Sequence, residues 1–243
     1  MPTFRRPAGT VSSAGEIELY YEVHGEGYPV LLFAPGGMRS AIKFWRSSPF
    51  DPIETLKPHF KVIAMDQRNA GESRAPITAA DNWQTYTDDH IALLDHLEIE
   101  RCHIMGGCIG GSYCFGLINS QPERVNAAII QQTIGLDNNR SAFYDMFDGW
   151  AEALEAKPDE AVLQQFRSNM YDKDFLFSVD AEAVQDCQSP LLVLLGNDLY
   201  HPESTSRAIM DLAPNATLIE DWKSEDKVAA TAGAVTAFLE RHS

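Results

Sequence analysis

The architecture of this chain can be predicted from Gly106-Gly107-Cys108-Ile109-Gly110-Gly111. The apolar run 102–106 ahead of this stretch predicts a strand, and the segment 109–119 behind it predicts a helix. A strand that turns directly into a helix forces strained backbone angles on the residue at the turn. Only small residues two places before and after that residue leave room for the turn, and glycine occupies both places here. The stretch therefore predicts a tight turn that presents Cys108.

The predicted turn would place the Cys108 thiol at the N-terminus of the following helix. Free backbone N–H groups and the helix dipole favour an anion there, and this lowers the pKa of a thiol. A thiol with a lowered pKa is an activated nucleophile. The alternative is a glycine-rich turn around a buried structural cysteine.

Strand-like and helix-like segments alternate along the rest of the chain. Short apolar runs predict strands buried on both faces, and longer segments with apolar residues at helical spacing predict helices. This alternation predicts an α/β fold with a mostly parallel sheet and helices on both faces. The predicted strands are 17–23, 29–34, 60–65, 102–106, 125–131, 190–195 and 217–220, and the predicted helices are 82–97, 109–119, 204–212 and 227–241.

One segment, residues 137–178, interrupts the alternation. It contains no clear strand and carries aromatic residues at helical spacing, namely Phe143, Tyr144, Phe147, Trp150 and Phe166. We predict two or three helices there, forming a small lid inserted in a single domain that spans residues 1–243. The alternative is an ordinary crossover connection with extra helices.

Composition limits the classes of partner. The chain has 243 residues, 44 % of them apolar, and its 35 acidic against 19 basic residues give a formal net charge of −16. Such a surface repels phosphate backbones and anionic lipids, so we expect a small-molecule substrate or ligand rather than nucleic acid or a membrane. No targeting segment or apolar stretch of spanning length is expected. The oligomeric state stays open.

The four cysteines, Cys102, Cys108, Cys114 and Cys187, show neither a CxxC pair nor the spacing of a disulfide framework. Reduced thiols are typical of a cytoplasmic protein. No two histidines stand at the spacing of metal ligands, so we expect no metal and no cofactor.

Here the chain resembles the α/β-hydrolase superfamily. Besides the turn at Cys108, the resemblance rests on Pro35-Gly36-Gly37-Met38, on Asp66-Gln67-Arg68-Asn69-Ala70-Gly71-Glu72-Ser73 and on Gly196-Asn197-Asp198-Leu199-Tyr200-His201-Pro202, which stand in the order of that family's motifs. The resemblance implies that Cys108 is the nucleophile and Asp198 the catalytic acid. It also implies an oxyanion hole made by the backbone amide of Ile109 and that of Gly37 or Met38.

The chain departs from the family at the catalytic histidine. That residue ordinarily follows the last strand, about 17 residues before the Phe-Leu pair of the final helix. Counting back from Phe238-Leu239 leads to Asp221-Trp222-Lys223-Ser224-Glu225-Asp226-Lys227, which contains no histidine. We predict that Trp222 or its immediate neighbours occupy the histidine position.

Several groups could replace the missing base. His201 lies three residues after Asp198 and could turn toward Cys108, with a carboxylate orienting it. His242, near the C-terminus, and Lys223 or Lys227 are the other candidates, although a lysine acts as a base only if burial lowers its pKa. Alternatively the thiolate acts alone, because a cysteine is partly ionised without help.

Three functions follow from these observations. The first is a cysteine-dependent hydrolase or acyl transferase that acts on a small ester, lactone or thioester. The second is a lyase or cofactor-free isomerase on the same fold. The third is a catalytically silent protein that binds a small ligand. In each case we predict an apolar pocket whose substrate-binding residues include Phe143, Phe147, Trp150 and Trp222.

Overall fold

The computed structural model describes residues 2–7 and 16–243, and within these residues eight strands form a single sheet. The strands are β1 (Thr3–Pro7), β2 (Glu16–His24), β3 (Pro29–Phe33), β4 (Lys61–Met65), β5 (Cys102–Gly107), β6 (Val125–Gln131), β7 (Leu191–Leu194) and β8 (Ala216–Ile219). Their order across the sheet is β1-β2-β4-β3-β5-β6-β7-β8. The pairs β1/β2 and β2/β4 are antiparallel, and every later pair is parallel.

The helices connect the strands and cover both faces of the sheet. They are α1 (Pro52–Leu56), α2 (Trp83–His96), α3 (Ile109–Ser120), α4 (Arg140–Glu152), α5 (Glu160–Tyr171), α6 (Ala181–Gln185), α7 (Glu203–Leu212) and α8 (Val228–Arg241). The predicted α/β architecture, a mostly parallel sheet flanked by helices, is confirmed.

The main correction to the predicted elements is β1, which the sequence analysis missed. This strand lies at the edge of the sheet and pairs only with β2, so its formation depends on a distant partner rather than on its own pattern. The short helices α1 and α6 were also missed. The last strand covers 216–219 rather than 217–220, and β4 and β7 are shorter than predicted at their ends.

The core consists of buried residues on the two faces of the sheet. Successive residues of β3 alternate between the faces, as the pleat of a strand requires: Leu31 and Phe33 pack with α2 and α3, whereas Val30 and Leu32 pack with α1 and α8. Both faces of the central strands are therefore excluded from water. This explains why these strands are continuous apolar runs instead of alternating apolar and polar residues.

The turn from β5 into α3 is as tight as the glycine pattern predicts. Cys108 has φ 57° and ψ −120°, a backbone conformation that a residue with a side chain rarely adopts. A Cβ on Gly106 would lie 2.0 Å from the carbonyl oxygen of Gly110, and a Cβ on Gly110 would lie 2.1 Å from that of Phe33. Helix α3 therefore crosses the sheet at a distance that only glycine permits.

The segment 137–178 contains α4 and α5 and packs on the loops that follow β3 and β4. The Trp150 indole donates a hydrogen bond to the carbonyl oxygen of Asn69 at 3.4 Å, and the Tyr171 hydroxyl lies 3.4 Å from the sulfur of Met38. The Met146 side chain lies directly over Gly37, where a Cβ would fall 2.0 Å from its sulfur. These contacts place the segment over the carboxyl ends of the parallel strands. No helix among the described residues has both the length and the apolar character needed to cross a membrane.

We expect Gly106→Ala to lower the free energy of unfolding by about 3 kcal/mol, the upper part of the range for overpacking, because the new methyl group would meet backbone that cannot move aside. Urea unfolding followed by circular dichroism measures this change. Gly233→Ala is the matched control: Gly233 lies in α8 with nothing within 4 Å of an added Cβ, and we expect a gain of about 0.5–1 kcal/mol. A loss below about 1 kcal/mol for Gly106→Ala would contradict the proposed steric limit at the turn.

Candidate active site

Cys108 lies where β5 ends and α3 begins, at the carboxyl edge of the sheet. Its backbone is fixed by β6 and the loop that follows: its N–H donates to the carbonyl oxygen of Gln131 at 3.0 Å, and its own carbonyl oxygen accepts from the N–H of Ile134 at 3.3 Å. The side chain of Cys108 is partly exposed, whereas the other three cysteines are buried. Cys108 is therefore the least buried of the four cysteines.

The loop after β7 carries Asp198 and His201 as a hydrogen-bonded pair. The Asp198 carboxylate lies 2.8 Å from Nδ1 of His201. The same carboxylate accepts hydrogen bonds from the backbone N–H groups of Tyr200, at 3.0 Å, and His201, at 3.1 Å. Because a carboxylate can only accept, Nδ1 carries the proton and Nε2 is the ring atom left to interact with another group.

The side chains of His201 and Cys108 lie close enough to interact electrostatically. Its Nε2 atom is buried and makes no hydrogen bond of ordinary geometry, and the thiol is the group whose proximity perturbs the imidazole. Burial lowers the pKa of His201, but the Cys108 sulfur and the Asp198 carboxylate more than offset this and raise it to about 9. The arrangement therefore favours the protonated, positively charged imidazole.

The thiol responds in the opposite direction. Burial raises the pKa of Cys108, but the His201 imidazole and the backbone N–H groups of Gly36 and Ile109 outweigh burial and lower it below its ordinary value. For Asp198, partial burial raises the pKa, and the contact with His201 together with the two backbone N–H bonds brings it below its usual range. All three directions are those of a thiolate, an imidazolium and a carboxylate in a row.

Of the predicted oxyanion donors, the N–H of Ile109 is the one that interacts with the Cys108 sulfur. Ile109 is the first residue of α3, so its N–H has no partner within the helix and points toward Cys108. Gly37 and Met38 form a short 3₁₀ turn after β3. Sequence reasoning missed Gly36, which is the residue of this loop whose N–H interacts with the sulfur. No signal in the sequence identified it, because the direction of its N–H depends on its φ of 124°, a conformation that favours glycine.

The other candidate bases, Lys223, Lys227 and His242, each make contacts of their own. Lys223 donates to the side-chain oxygen of Gln132 at 3.1 Å, and Lys227 pairs with Asp226 at 3.3 Å. His242 stands at the end of α8, where its carbonyl oxygen accepts a hydrogen bond from Asn126 near the start of β6. Cys108 lies beyond the carboxyl end of the neighbouring strand β5, whereas Asn126 is near the amino end of β6. His242 is therefore at the opposite end of the strands from Cys108. Of the predicted replacements, His201 is the one whose side chain interacts with the Cys108 thiol.

Trp222 is fully buried in the loop after β8, and its indole N–H donates to the carbonyl oxygen of Leu195 at 2.8 Å. In the inserted segment, the Phe143 ring meets the Tyr200 ring at 5.6 Å, next to His201. Phe147 and Trp150 are also buried, and both pack edge-to-face on Phe166 between α4 and α5. Their predicted role in substrate binding stays a prediction. Among residues 2–7 and 16–243, the side chains form no cluster of three potential metal ligands.

Comparisons with known proteins identify the family and the fold. The model of the alpha/beta hydrolase fold family matches residues 29–178. A protein named as the carbamate hydrolase RutD, from Azorhizobium caulinodans, is 35% identical over 116 residues, which are 48% of this chain and 41% of that protein. This chain therefore spans less than half the length of that relative.

Solved structures share the fold over nearly the whole chain. The meta-cleavage product hydrolase CumD from Pseudomonas fluorescens IP01 superposes with a TM-score of 0.70 at 22% identity, covering 93% of this chain and 96% of that one. The enol-lactonase from Burkholderia xenovorans LB400 gives a TM-score of 0.67 at 21% identity, covering 92% and 97%. At these identities the likeness concerns the fold.

We expect Cys108 to be the first cysteine modified by substoichiometric iodoacetamide at pH 7. It is partly exposed and its pKa is lowered, whereas burial raises the pKa of Cys102, Cys114 and Cys187. Peptide mass mapping of the folded protein identifies the labelled residue, and the same reaction in urea, where the four thiols should react alike, is the control. Earlier labelling of any other cysteine in the folded protein would refute the assignment of Cys108 to the reactive position.

Proposed function

This chain belongs to the alpha/beta hydrolase fold family, and we propose that it is a hydrolase of small carbonyl substrates with a cysteine nucleophile. In this proposal Cys108 attacks the substrate, His201 transfers protons, and Asp198 orients the imidazole. Esters, lactones and thioesters are the substrate classes, because each offers an acyl carbon to a thiolate and a leaving group that needs a proton.

The observation that carries the proposal is the alignment of Asp198, His201 and Cys108. Asp198 holds Nδ1 at 2.8 Å, so Nε2 is the ring nitrogen left free for the thiol, and the two side chains interact closely enough to shift each other's pKa. The raised pKa of His201 and the lowered pKa of Cys108 are both consequences of their mutual contact, as expected for a nucleophile and its acid–base partner. A cysteine buried for structural reasons alone would have a raised pKa instead.

The first half of the reaction forms an acyl-enzyme. The Cys108 thiolate attacks the carbonyl carbon, and the negative charge moves to the carbonyl oxygen, where the N–H of Ile109 and an N–H of the Gly36–Met38 turn can stabilise it. As the tetrahedral intermediate collapses, protonated His201 donates its Nε2 proton to the departing oxygen or sulfur. An alcohol or thiol leaves, or the ring opens in a lactone, and the acyl group remains on sulfur as a thioester.

The second half needs His201 as a base, and acylation itself prepares it. Once Cys108 carries an acyl group, its sulfur no longer bears the negative charge that raises the pKa of His201. The imidazole, which has given its proton to the leaving group, then stays neutral and can take a proton from water. The resulting hydroxide attacks the thioester, the carboxylic acid departs, and the thiolate and imidazolium form again.

The names of similar proteins are compatible with this substrate class. One is named as a carbamate hydrolase, and another is titled an enol-lactonase. The inserted segment 137–178 would act as a lid, with Phe143 at the His201 side of the pocket and Phe147, Trp150 and Trp222 as further candidates for apolar contacts with substrate. A cytoplasmic location, in which the thiol stays reduced, belongs to the same proposal.

We expect His201→Ala to lower the turnover of p-nitrophenyl acetate about 100-fold or more, the usual scale of general acid–base catalysis. Without the imidazole the thiol loses the group that lowers its pKa, and water loses its base. Steady-state release of p-nitrophenol measures the rate, and Cys108→Ala is the reference for background hydrolysis. His59→Ala, at a surface histidine paired with Glu240, is the matched control and should leave the rate unchanged.

The outcomes distinguish the remaining functions. A burst of one p-nitrophenol per chain without turnover would indicate acyl transfer to an acceptor other than water. No acylation of Cys108 by the activated ester, in a folded protein, would refute the hydrolase and leave a ligand-binding protein. An undiminished rate in His201→Ala would show that the thiolate acts without this histidine.

We also expect a bell-shaped dependence of kcat/KM on pH for phenyl acetate, whose leaving group needs a proton. Activity should fall at low pH, as the thiolate is protonated through the lowered pKa of Cys108. Activity should also fall as pH rises through about 9, where His201 loses the proton that it must donate. A profile that continues to rise above pH 9 would contradict the role of the imidazolium as the acid.

A further inference from the structure

We propose that Asn139 is a positioning residue that holds the His201 loop at the correct place relative to Cys108. This inference rests on the proposed function of Cys108 and His201. The Asn139 side chain makes no hydrogen bond to the side chains of Cys108, Asp198 or His201. Its hydrogen bonds go to backbone atoms of the surrounding loops.

The reason such a residue is needed lies in the loop after β7. The contacts between Asp198 and His201 are local: their backbone N–H and carbonyl groups bond to each other in both directions at 3.2 Å, and the carboxylate bonds to the ring and to the backbone. These bonds fix the imidazole against its carboxylate. These local bonds do not fix the distance between His201 and Cys108, because Cys108 follows another strand. Contacts from outside the loop must therefore set that distance.

Asn139 supplies such a contact. Its Nδ2 donates to the carbonyl oxygen of Leu199 at 2.7 Å, inside the loop between Asp198 and His201. The same Nδ2 donates to the carbonyl oxygen of Gly135 at 3.1 Å, and Oδ1 accepts from the N–H of Asp137 at 2.9 Å. Asn139 is 3 % exposed, and a buried amide with three good partners holds a single orientation.

The other end of this connection reaches the Cys108 backbone. Gly135 follows Ile134, whose N–H donates to the carbonyl oxygen of Cys108 at 3.3 Å. Gly135 also packs closely on α7, where a Cβ would fall 2.2 Å from the Thr205 hydroxyl. Hydrogen bonds and short segments of chain thus link the turn at Cys108 with the His201 loop. The link runs through Ile134, Gly135 and Asn139 to Leu199.

This path also explains a feature of α4. Asn139 precedes the first residue of that helix, a place where asparagine usually accepts hydrogen bonds from the helix N–H groups. Here its side chain makes no such bond. The side chain is directed instead at Gly135, Asp137 and Leu199, so its donors serve the loop after β7 and not the helix.

The test compares Asn139→Ala and the milder Asn139→Ser, which suits the start of a helix but is too short to reach Leu199. We measure the rate of Cys108 alkylation by iodoacetamide against pH, together with kcat/KM for phenyl acetate. If Asn139 positions His201, the pKa of the thiol rises toward that of a free cysteine, about 8.5, and kcat/KM falls about tenfold or more. Urea unfolding of each variant establishes that the protein is folded under the assay conditions.

Ser204→Ala is the matched control. Ser204 is exposed on α7, and its hydroxyl donates to the Asp137 side chain at 2.7 Å. Its loss removes a hydrogen bond between α7 and the loop before α4 but leaves the bond to the Leu199 carbonyl in place. We expect the alkylation profile and kcat/KM of this variant to match those of the unchanged protein.

The double variant with His201→Ala separates positioning from general loosening. If Asn139 acts through His201, Asn139→Ser changes the pKa of the thiol in the unchanged protein but not in the His201→Ala background. A folded Asn139→Ser variant with an unchanged pKa and kcat/KM would overturn the inference. So would a shift of equal size in both backgrounds. If the unchanged protein has no esterase activity, the proposed function fails, but the alkylation profiles still decide whether Asn139 places His201 beside Cys108.

Discussion

The whole site depends on how closely α3 approaches the sheet. Gly106 and Gly110 leave no space between β5, the first turn of α3 and the end of β3, and Cys108 must take up a left-handed backbone conformation to join them. This conformation is unfavourable for a residue with a side chain and is held by the bonds of its backbone to Gln131 and Ile134. Its consequence is that the thiol projects over the carboxyl edge of the sheet, at the free N–H groups of a helix and near the loops after β3 and β7.

The second determinant is the placement of Asp198 and His201 on a single loop. Because Asp198 and His201 are three residues apart, a turn closed by the carboxylate itself is sufficient to orient the imidazole. The loop after β8 then has no need to carry a histidine. Its Trp222 is buried instead, with the indole N–H satisfied by Leu195, so this position contributes to the packing of the fold. With both residues on one loop, the alignment of His201 with Cys108 depends on the contacts between that loop and its neighbours.

Prediction from the sequence succeeded where local patterns determine the outcome. The apolar run and the glycines around Cys108 are sufficient to predict β5, the turn and α3, because the steric limit between Gly106 and Gly110 acts within the turn itself. The same local patterns could not predict β1, which depends on a distant partner strand. For the proposed base, these local patterns left several candidates open. The direction of the His201 ring depends on the hydrogen bonds that the Asp198 carboxylate accepts from the backbone, and the sequence does not reveal these bonds. Gly36 was missed because the direction of one N–H depends on a single φ angle that composition does not reveal.

In the proposed mechanism, the charges of the site suit a cysteine at the turn better than a serine. A serine nucleophile needs a neutral imidazole to remove its proton during attack, because a hydroxyl is far from ionised at neutral pH. Here the sulfur and Asp198 raise the pKa of His201 to about 9, which favours the imidazolium form near neutral pH. An imidazolium cannot accept the proton of a serine, but it stabilises a thiolate that has already lost its own. Part of the raised pKa comes from the sulfur itself, so with a serine at position 108 the imidazole would lose that part and keep only the contribution of Asp198. In the proposed mechanism the thiol and the histidine therefore act as a pair, because each shifts the pKa of the other.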